Sequence, residues 1–386
     1  MEIKTFQFLM NKGWSLKEFP DLDSESTLVL IFAAPEFLDF QEPIIQLANF
    51  YPKSKVIGCS TAGEIFGKNL FDHSITVAVI KFAKTSLKIA KAEVNHNKNS
   101  KNTGQLIAEQ LKADDLHSIF ILSDGLNVNG SELVQGLNSV NNTHKLVMTG
   151  GLAGDGSDFK KTWTVLNNKI LDHYVVAVGF YGSDIHIGHA SKGGWDIFGP
   201  VRRVTRSESN VLYELDYQPA LQLYKEYLGE KASELPSSGL LYPLAINNPE
   251  AHNDTRLVRT ILAVDEREQS LVFAGDIPTG WHAQLMRANF DRLIDSANEA
   301  ALLANQLMLN GNLKQLGPVL AIDISCVGRR LLLGERTEEE IESTMSALPE
   351  GSTQIGFYSY GELSPFSVGN CELHNQTMTI TTIYET

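Results

Sequence analysis

The sequence predicts an α/β protein of mixed sheets in two domains, the first of them internally duplicated. Three observations predict it. Continuous apolar runs such as Thr27–Ala34, Ser118–Leu122 and Val319–Cys326 have the length of strands buried on both faces. Between them lie stretches whose apolar residues have helical spacing, such as Phe37–Phe50 and Ser131–Val140. The third is a repeat centred on Val56-Ile57-Gly58-Cys59-Ser60-Thr61-Ala62-Gly63-Glu64-Ile65. Its Ala62-Gly63-Glu64 finds Ala153-Gly154-Asp155 at the offset that also relates Leu28–Phe32 to Ile119–Leu122. After a short insertion, Thr76–Phe82 resembles Tyr174–Phe180. The two copies, about 27–94 and 118–190, are too few for a solenoid. They place two small-residue turns where both can face one cavity.

In chain order, residues 1–26 are polar with scattered aromatics, a leader without a predicted element. The first copy reads as strand Thr27–Ala34, helix Phe37–Phe50, the small-residue turn, and strands Ser74–Phe82 and Leu87–Val94. A polar loop, Asn95–Asn102, and a short helix, Thr103–Leu111, lead to the second copy. That copy has strand Ser118–Leu122, helix Ser131–Val140, strand Lys145–Met148 and the second turn. A hairpin around Asn167-Asn168 follows, then strands His173–Phe180 and Ile185–His189. A boundary near Asp216–Ala220 separates 27–218 from 219–386, with Pro219 in the first turn of helix Ala220–Leu228. Beyond it the pattern predicts a hairpin over 257–273 and a long helix from Ala283 to Asn310. Strand Val319–Cys326, helix Glu338–Leu348 and strands Thr353–Tyr358 and Met378–Tyr384 close the chain.

Composition narrows the function. Net charge is −14, against a nucleic-acid or anionic-membrane partner. No apolar run reaches the length of a membrane span, and the N-terminus lacks an export signal. Three cysteines, Cys59, Cys326 and Cys371, then read as reduced thiols in the cytoplasm. Enzyme signatures are missing. No Gly-x-Ser-x-Gly elbow occurs, the glycine turns lack the lysine of a phosphate-binding loop, and Gly150–Gly154 is too loose for a dinucleotide fingerprint. The one nucleophile–base pairing weighed, Cys59 with His374, leaves a thiol enzyme as the third reading.

Several stretches together resemble the FIST family: Gly58–Glu64, Gly193-Gly194-Trp195 with Phe198-Gly199-Pro200, Leu212–Asp216, Gly356–Glu362 and Leu373–Thr377. The resemblance covers nearly the whole chain from about residue 27, and it divides into a FIST N-terminal and a FIST C-terminal domain. It implies an intracellular sensory module that binds a small molecule and does not itself catalyse. Stand-alone bacterial members include nitric-oxide-sensing proteins that bind haem and regulate a histidine kinase or cyclic-di-GMP enzymes. On that resemblance the first expectation is haem-based nitric oxide sensing with such a partner; a homodimer is left open.

Haem needs an axial ligand beside an apolar slot. Of ten histidines, His73, His96, His117, His144, His173 and His252 sit in polar surroundings. His189 ranks first as iron ligand, because Ile185, Ile187 and His189 share the apolar face of an alternating strand while His186 and Gly188 share the other. His374, inside the terminal motif, ranks second. The alternative expectation is an amino-acid-like metabolite without haem. Ser60, Thr61 and backbone N–H groups near Gly63 then hold a carboxylate that Arg329 pairs bidentately, and Glu64 or Glu362 takes an ammonium. Cys59, Cys326 and Asn375 complete the expected lining.

Overall fold

A computed structural model describes residues 1–94, 99–139, 146–250, 256–309, 318–366 and 369–386. The expectations for His96, His144 and His252 and for the helix ends at Val140 and Asn310 lie outside them. No helix among the described residues is long and apolar enough to cross a membrane.

The repeat is threefold. In the first copy, strand Thr27–Ala33 lies parallel to Lys55–Ser60 and antiparallel to Ser74–Lys81. In the second, Leu116–Ser123 is parallel to Val147–Leu152 and antiparallel to Tyr174–Tyr181. Leu320–Cys326 repeats this with Thr353–Ser359 and Met378–Glu385. An antiparallel edge strand completes each sheet: Glu2–Leu9, Ser86–Glu93 and Ile185–Lys192. The structural copies are therefore 2–81, 86–181 and 185–385. The strands expected to end copies one and two instead begin the next sheet. The leader is also structural: Glu2–Leu9 pairs along its whole length with Ser74–Lys81, and Phe6 and Phe8 are buried against Trp14 and Phe37.

The copies are interlaced. Each parallel pair is followed by a hairpin that leaves its own sheet. The hairpin of copy one, Glu64–Phe66 with Asn69–Phe71, joins the sheet of copy three at Thr353–Ser359. Thr164–Leu166, from copy two, joins copy one at Lys55–Ser60. Gly361–Pro365, from copy three, joins copy two at Val147–Leu152. The two expected domains thus share sheets, and the expected boundary falls inside an antiparallel sheet inserted in copy three. That insertion runs from Asp196 to Arg287 and carries helix Ala220–Leu228.

The inner faces of the three sheets meet in one cluster that takes Leu30 and Phe32 from the first, Phe120 and Val178 from the second, and Ile322 and Phe357 from the third. Helices cover the outer faces: Glu42–Phe50 on the first, Ser100–Leu111 and Gly130–Asn138 on the second, Phe290–Leu309 and Thr337–Ala347 on the third. Sheets covered on both sides explain why the central strands read as unbroken apolar runs. One local expectation fails. His282–Arg287 is a strand, not the start of the long helix, because Ala283 and Leu285 alternate into the core and pair with Leu244–Asn247. The chain after Cys326 turns directly into a short helix, Val327–Leu333.

One glycine register recurs in all three copies. A β-carbon on Gly58, Gly150 or Gly356 would lie 2.4, 1.8 or 1.9 Å from the carbonyl oxygen of Ile31, Ile121 or Asp323 on the parallel neighbour. Gly150 also has a φ of +149°. Gly150→Ala is expected to cost about 1–3 kcal/mol through overpacking against backbone, read as a lowered denaturation midpoint with unchanged denaturant slope.

Candidate functional site

The two small-residue turns are brought together, and a third joins them. Gly154 N donates to Ser60 O at 3.0 Å, Ala62 N to Tyr358 O at 2.8 Å, and Tyr360 N to Leu152 O at 3.2 Å. Each turn thus bonds to the strand end of a neighbouring copy, closing a ring of three. Small residues allow this approach: a β-carbon on Gly154 would be 3.0 Å from Ala62 N.

Within the ring the expected ligand groups already have partners. The Thr61 hydroxyl donates to Glu64, which also accepts from Ser74 N at 3.2 Å and Ser74 Oγ at 2.7 Å. Glu362 repeats the arrangement, accepting from Ser359 Oγ at 2.7 Å and Thr377 Oγ1 at 2.9 Å. Burial pushes both carboxyls up to about 8 against these hydrogen bonds. Ser60 Oγ accepts from Trp163 N. Arg329 is fully buried against Glu340 and donates to the carbonyls of Gly193 and Leu293 at 2.7 Å each. It cannot serve as the expected carboxylate clamp. Beside Gly63, Arg330 donates to Ala62 O and pairs with Asp72 at 2.6 Å.

The cavity lies next to this ring, between copies two and three and the inserted sheet. Its volume is about 490 Å³, within the range of small-molecule sites. One wall is the strand-to-helix turn Gly125–Asn129 with Glu132; another is Cys326–Gly328 with Leu331; Leu152, Phe159, Tyr360 and Asn375 form the floor. The inserted sheet contributes Ser209, Asn210, Thr260–Leu262 and Phe273–Gly275. Phe159 stacks on Tyr360 with centroids 4.5 Å apart, and the Tyr360 hydroxyl donates to Asp155 and to Gly156 O. Asn129 caps its helix through Ser131 N and Glu132 N, and donates from Nδ2 to Asp276 across the cavity edge at 2.9 Å. Asn375, 1% exposed, spends its amide N–H on the His374 carbonyl and leaves Oδ1 without a partner; Thr260 Oγ1 is likewise buried and unpartnered. Such atoms cost free energy unless something completes them.

Of the eleven expected site residues, Cys326 and Asn375 line the cavity. Cys59 lies inside the inter-sheet cluster, where burial and then the Glu64 charge push its thiol well up. Burial, then the charge of Glu362, pushes the Cys326 thiol up to about 12, so neither is a thiolate. His189 and His374 are 5% and 2% exposed, and burial lowers both to about 4. His374 Nε2 donates to Ser364 O at 2.9 Å, and His189 donates to the Pro365 carbonyl. Ile185, Ile187 and His189 are buried on one face as expected, but the other face, expected in solvent, is covered too, with Gly188 against Ala304 O and His186 half-buried against Tyr384. His117, expected in solvent, is half-buried with Nδ1 unpartnered.

The described residues that line this cavity do not fit haem. Among the described residues lining the cavity there is no histidine to bind iron and no cation to meet a propionate. Cys326 and Tyr360, the lining residues of iron-binding type, keep their protons through burial. Sequence reasoning missed Glu132, Phe159, Thr260 and Tyr360. Tyr360 stood inside the quoted Gly356–Glu362 stretch, and Asn129 with Glu132 carries a helix-start signature. Phe159 and Thr260 had no local signal.

The family model for the FIST N domain matches residues 27–218, and that for the FIST C domain matches residues 220–365. An uncharacterized protein of Methanocaldococcus jannaschii is 23% identical over 342 residues, covering 81% of this chain and 60% of that protein. The chain therefore spans less than two thirds of that relative's length. The solved structure of PurLQS from Thermotoga maritima covers 84% of this chain and 74% of its own, at 9% identity and a TM-score of 0.20, too low to carry an argument.

Proposed function

The chain belongs to the FIST family, whose domains are small-ligand-binding sensory modules of signal transduction, and from that premise we propose that it senses a small organic metabolite, without haem, in the cavity beside the three-turn ring. The observation that carries this reading is the buried, unpartnered Oδ1 of Asn375, a residue that lines an apolar, aromatic-walled hollow. A ligand donor that meets it as the side chain turns to the cavity recovers a desolvation cost already present in the free protein. The apolar walls supply affinity and the few polar atoms supply orientation.

The fold supports a signalling role because the cavity touches copy two, copy three and the insertion at once. Helix Val327–Leu333 lines it with Val327, Gly328 and Leu331, while Arg330 on the same helix holds the turn of copy one through Ala62 O. A ligand that shifts this helix alters contacts on a different copy, a route by which occupancy reaches a partner surface. The partner carried forward from the family resemblance is a sensor histidine kinase or a cyclic-di-GMP enzyme.

Screening metabolites by thermal shift tests the reading. A true ligand raises the melting temperature with concentration. Asn375→Ala is expected to weaken its binding about 10-fold, as for one buried hydrogen bond of about 1.5 kcal/mol, and Phe159→Ala to weaken it by a similar factor. Ligand affinity indifferent to both changes removes the cavity from consideration. A protein purified with a Soret band that moves with nitric oxide would restore the haem reading.

A further inference from the structure

The polar complement of the cavity is one-sided. Among the described residues Glu132 is the one carboxylic acid on its wall, and no lysine, arginine or histidine lines it. The unpartnered Asn375 Oδ1 can only accept, and the unpartnered Thr260 Oγ1 can accept as well as donate. Asp276 stands at the edge, hydrogen-bonded to Asn129, and adds negative charge. Burial and then Asp276 hold the Glu132 carboxyl above its ordinary value, with Lys101 on the neighbouring helix opposing them. The remaining surface is apolar and aromatic, including the stacked faces of Phe159 and Tyr360.

The helix that begins at Gly130 offers no competing anion site. Its first free N–H groups, those of Ser131 and Glu132, donate to Asn129 Oδ1. A carboxylate or phosphate brought here would lose its water and meet an acid with no cation on the lining to pair with it, since Arg259, buried behind Gly275, is committed to the carbonyls of Val258, Leu373 and Asp276. An ammonium gains on both counts, from the Glu132 carboxylate and from the negative faces of the aromatic rings.

Resting on the cavity reading above, we infer that the ligand is a donor-rich organic cation: an amine on an apolar body, its ammonium set toward Glu132 and its other N–H or O–H donors toward Asn375 Oδ1 and Thr260 Oγ1. The acid at the wall selects charge, and the buried acceptors select against bare hydrocarbon amines.

The test is calorimetric titration of the full chain with matched triplets of arylalkyl amines, carboxylic acids and alcohols, the amino-alcohols included. The expected order is amino-alcohol, then amine, then alcohol, with the acids silent. Glu132→Gln should weaken the amines about 10-fold or more and leave the alcohols unchanged. Acids that bind as well as amines, or amines and alcohols weakened equally by Glu132→Gln, overturn the cation assignment and leave the cavity reading in place. A panel in which no class binds the unaltered protein overturns both.

Discussion

Arg329→Ala is expected to destabilise the protein by about 3–5 kcal/mol, the usual result of stripping one partner from a buried ion pair. Both side chains of the Arg329–Glu340 pair are fully shielded from solvent. Removing the guanidinium strands the Glu340 carboxylate, which then keeps only Tyr358 Oη at 2.9 Å and Ser325 Oγ at 3.1 Å as donors. It also takes the guanidinium donor from the carbonyl of Gly193 and one donor from that of Leu293, which keeps Ser296 Oγ at 2.7 Å, and these two carbonyls tie the edge strand and the long helix of copy three to this point. The double variant Arg329→Met/Glu340→Leu should lose less than Arg329→Met alone, because no isolated charge remains, though the Gly193 carbonyl stays without its guanidinium donor. Denaturant midpoints of the parent, Arg329→Met, Glu340→Leu and the double variant give the coupling. If Arg329 instead bound ligand carboxylate, its loss would spare stability and abolish binding; a midpoint within about 1 kcal/mol of the parent would favour that role.

How far the chain could be read from sequence follows from where its regularities sit. The central strands were legible because helices cover the outer faces of all three sheets and leave no solvent-facing alternation along Thr27–Ala33 or Leu320–Cys326. The third copy was also written in the chain. Gly58 and Gly63-Glu64 have the spacing of Gly356 and Gly361-Glu362. It was hidden by the insertion of Asp196–Arg287, which separates the edge strand of copy three from its core. The exchange of hairpins was not legible, since a segment such as Glu64–Phe66 has the same alternation whichever sheet receives it.

The site divides in the same way. Glu64, Glu362 and Arg329 stand in motif-like stretches, yet their polar atoms are spent on holding the turns and the third sheet together. Buried polar residues beside glycine signal close packing as readily as recognition. Cavity residues such as Thr260 and Phe159 come from the insertion and from an irregular loop, and only the folded chain sets them around one hollow. Asn375 belongs to both groups. It lies in the terminal motif and, unlike His374 beside it, keeps an unpartnered side-chain oxygen.

The melting temperature should fall as pH rises from about 6.5 to 8.5, a consequence of three carboxyls that the fold keeps protonated. Burial raises Glu64 to about 8 despite Thr61 and Ser74, Glu362 to about 8 despite Ser359, Thr377 and Arg329, and Asp323 to about 8 with the Glu340 charge adding to it. The unfolded chain releases these protons near the ordinary carboxyl values. The folded chain therefore holds more protons through the window, and their contribution, complete below the unfolded pKa, is lost as pH climbs through the folded one. His189 and His374 act oppositely. Burial lowers both to about 4, so their contribution is present above the ordinary histidine value and lost on acidification. Between about 4.5 and 6.5 the two sets partly cancel; above that range the acids dominate, each at about 2 kcal/mol by pH 8 from 1.4 kcal/mol per pH unit, and the exposed His73, held up by its hydrogen bond to Glu36, acts in the same direction. Glu362→Gln isolates the effect. The amide preserves an oxygen for Thr377 and a donor toward Ser359 without a charge to bury, so the variant should be more stable than the parent at pH 8.5, equal to it near pH 5, and flatter between. A parent whose melting temperature is level or rising across that window would mean that the two glutamates are ionised in the ring, and that the three turns meet around buried charge instead of around neutral acids.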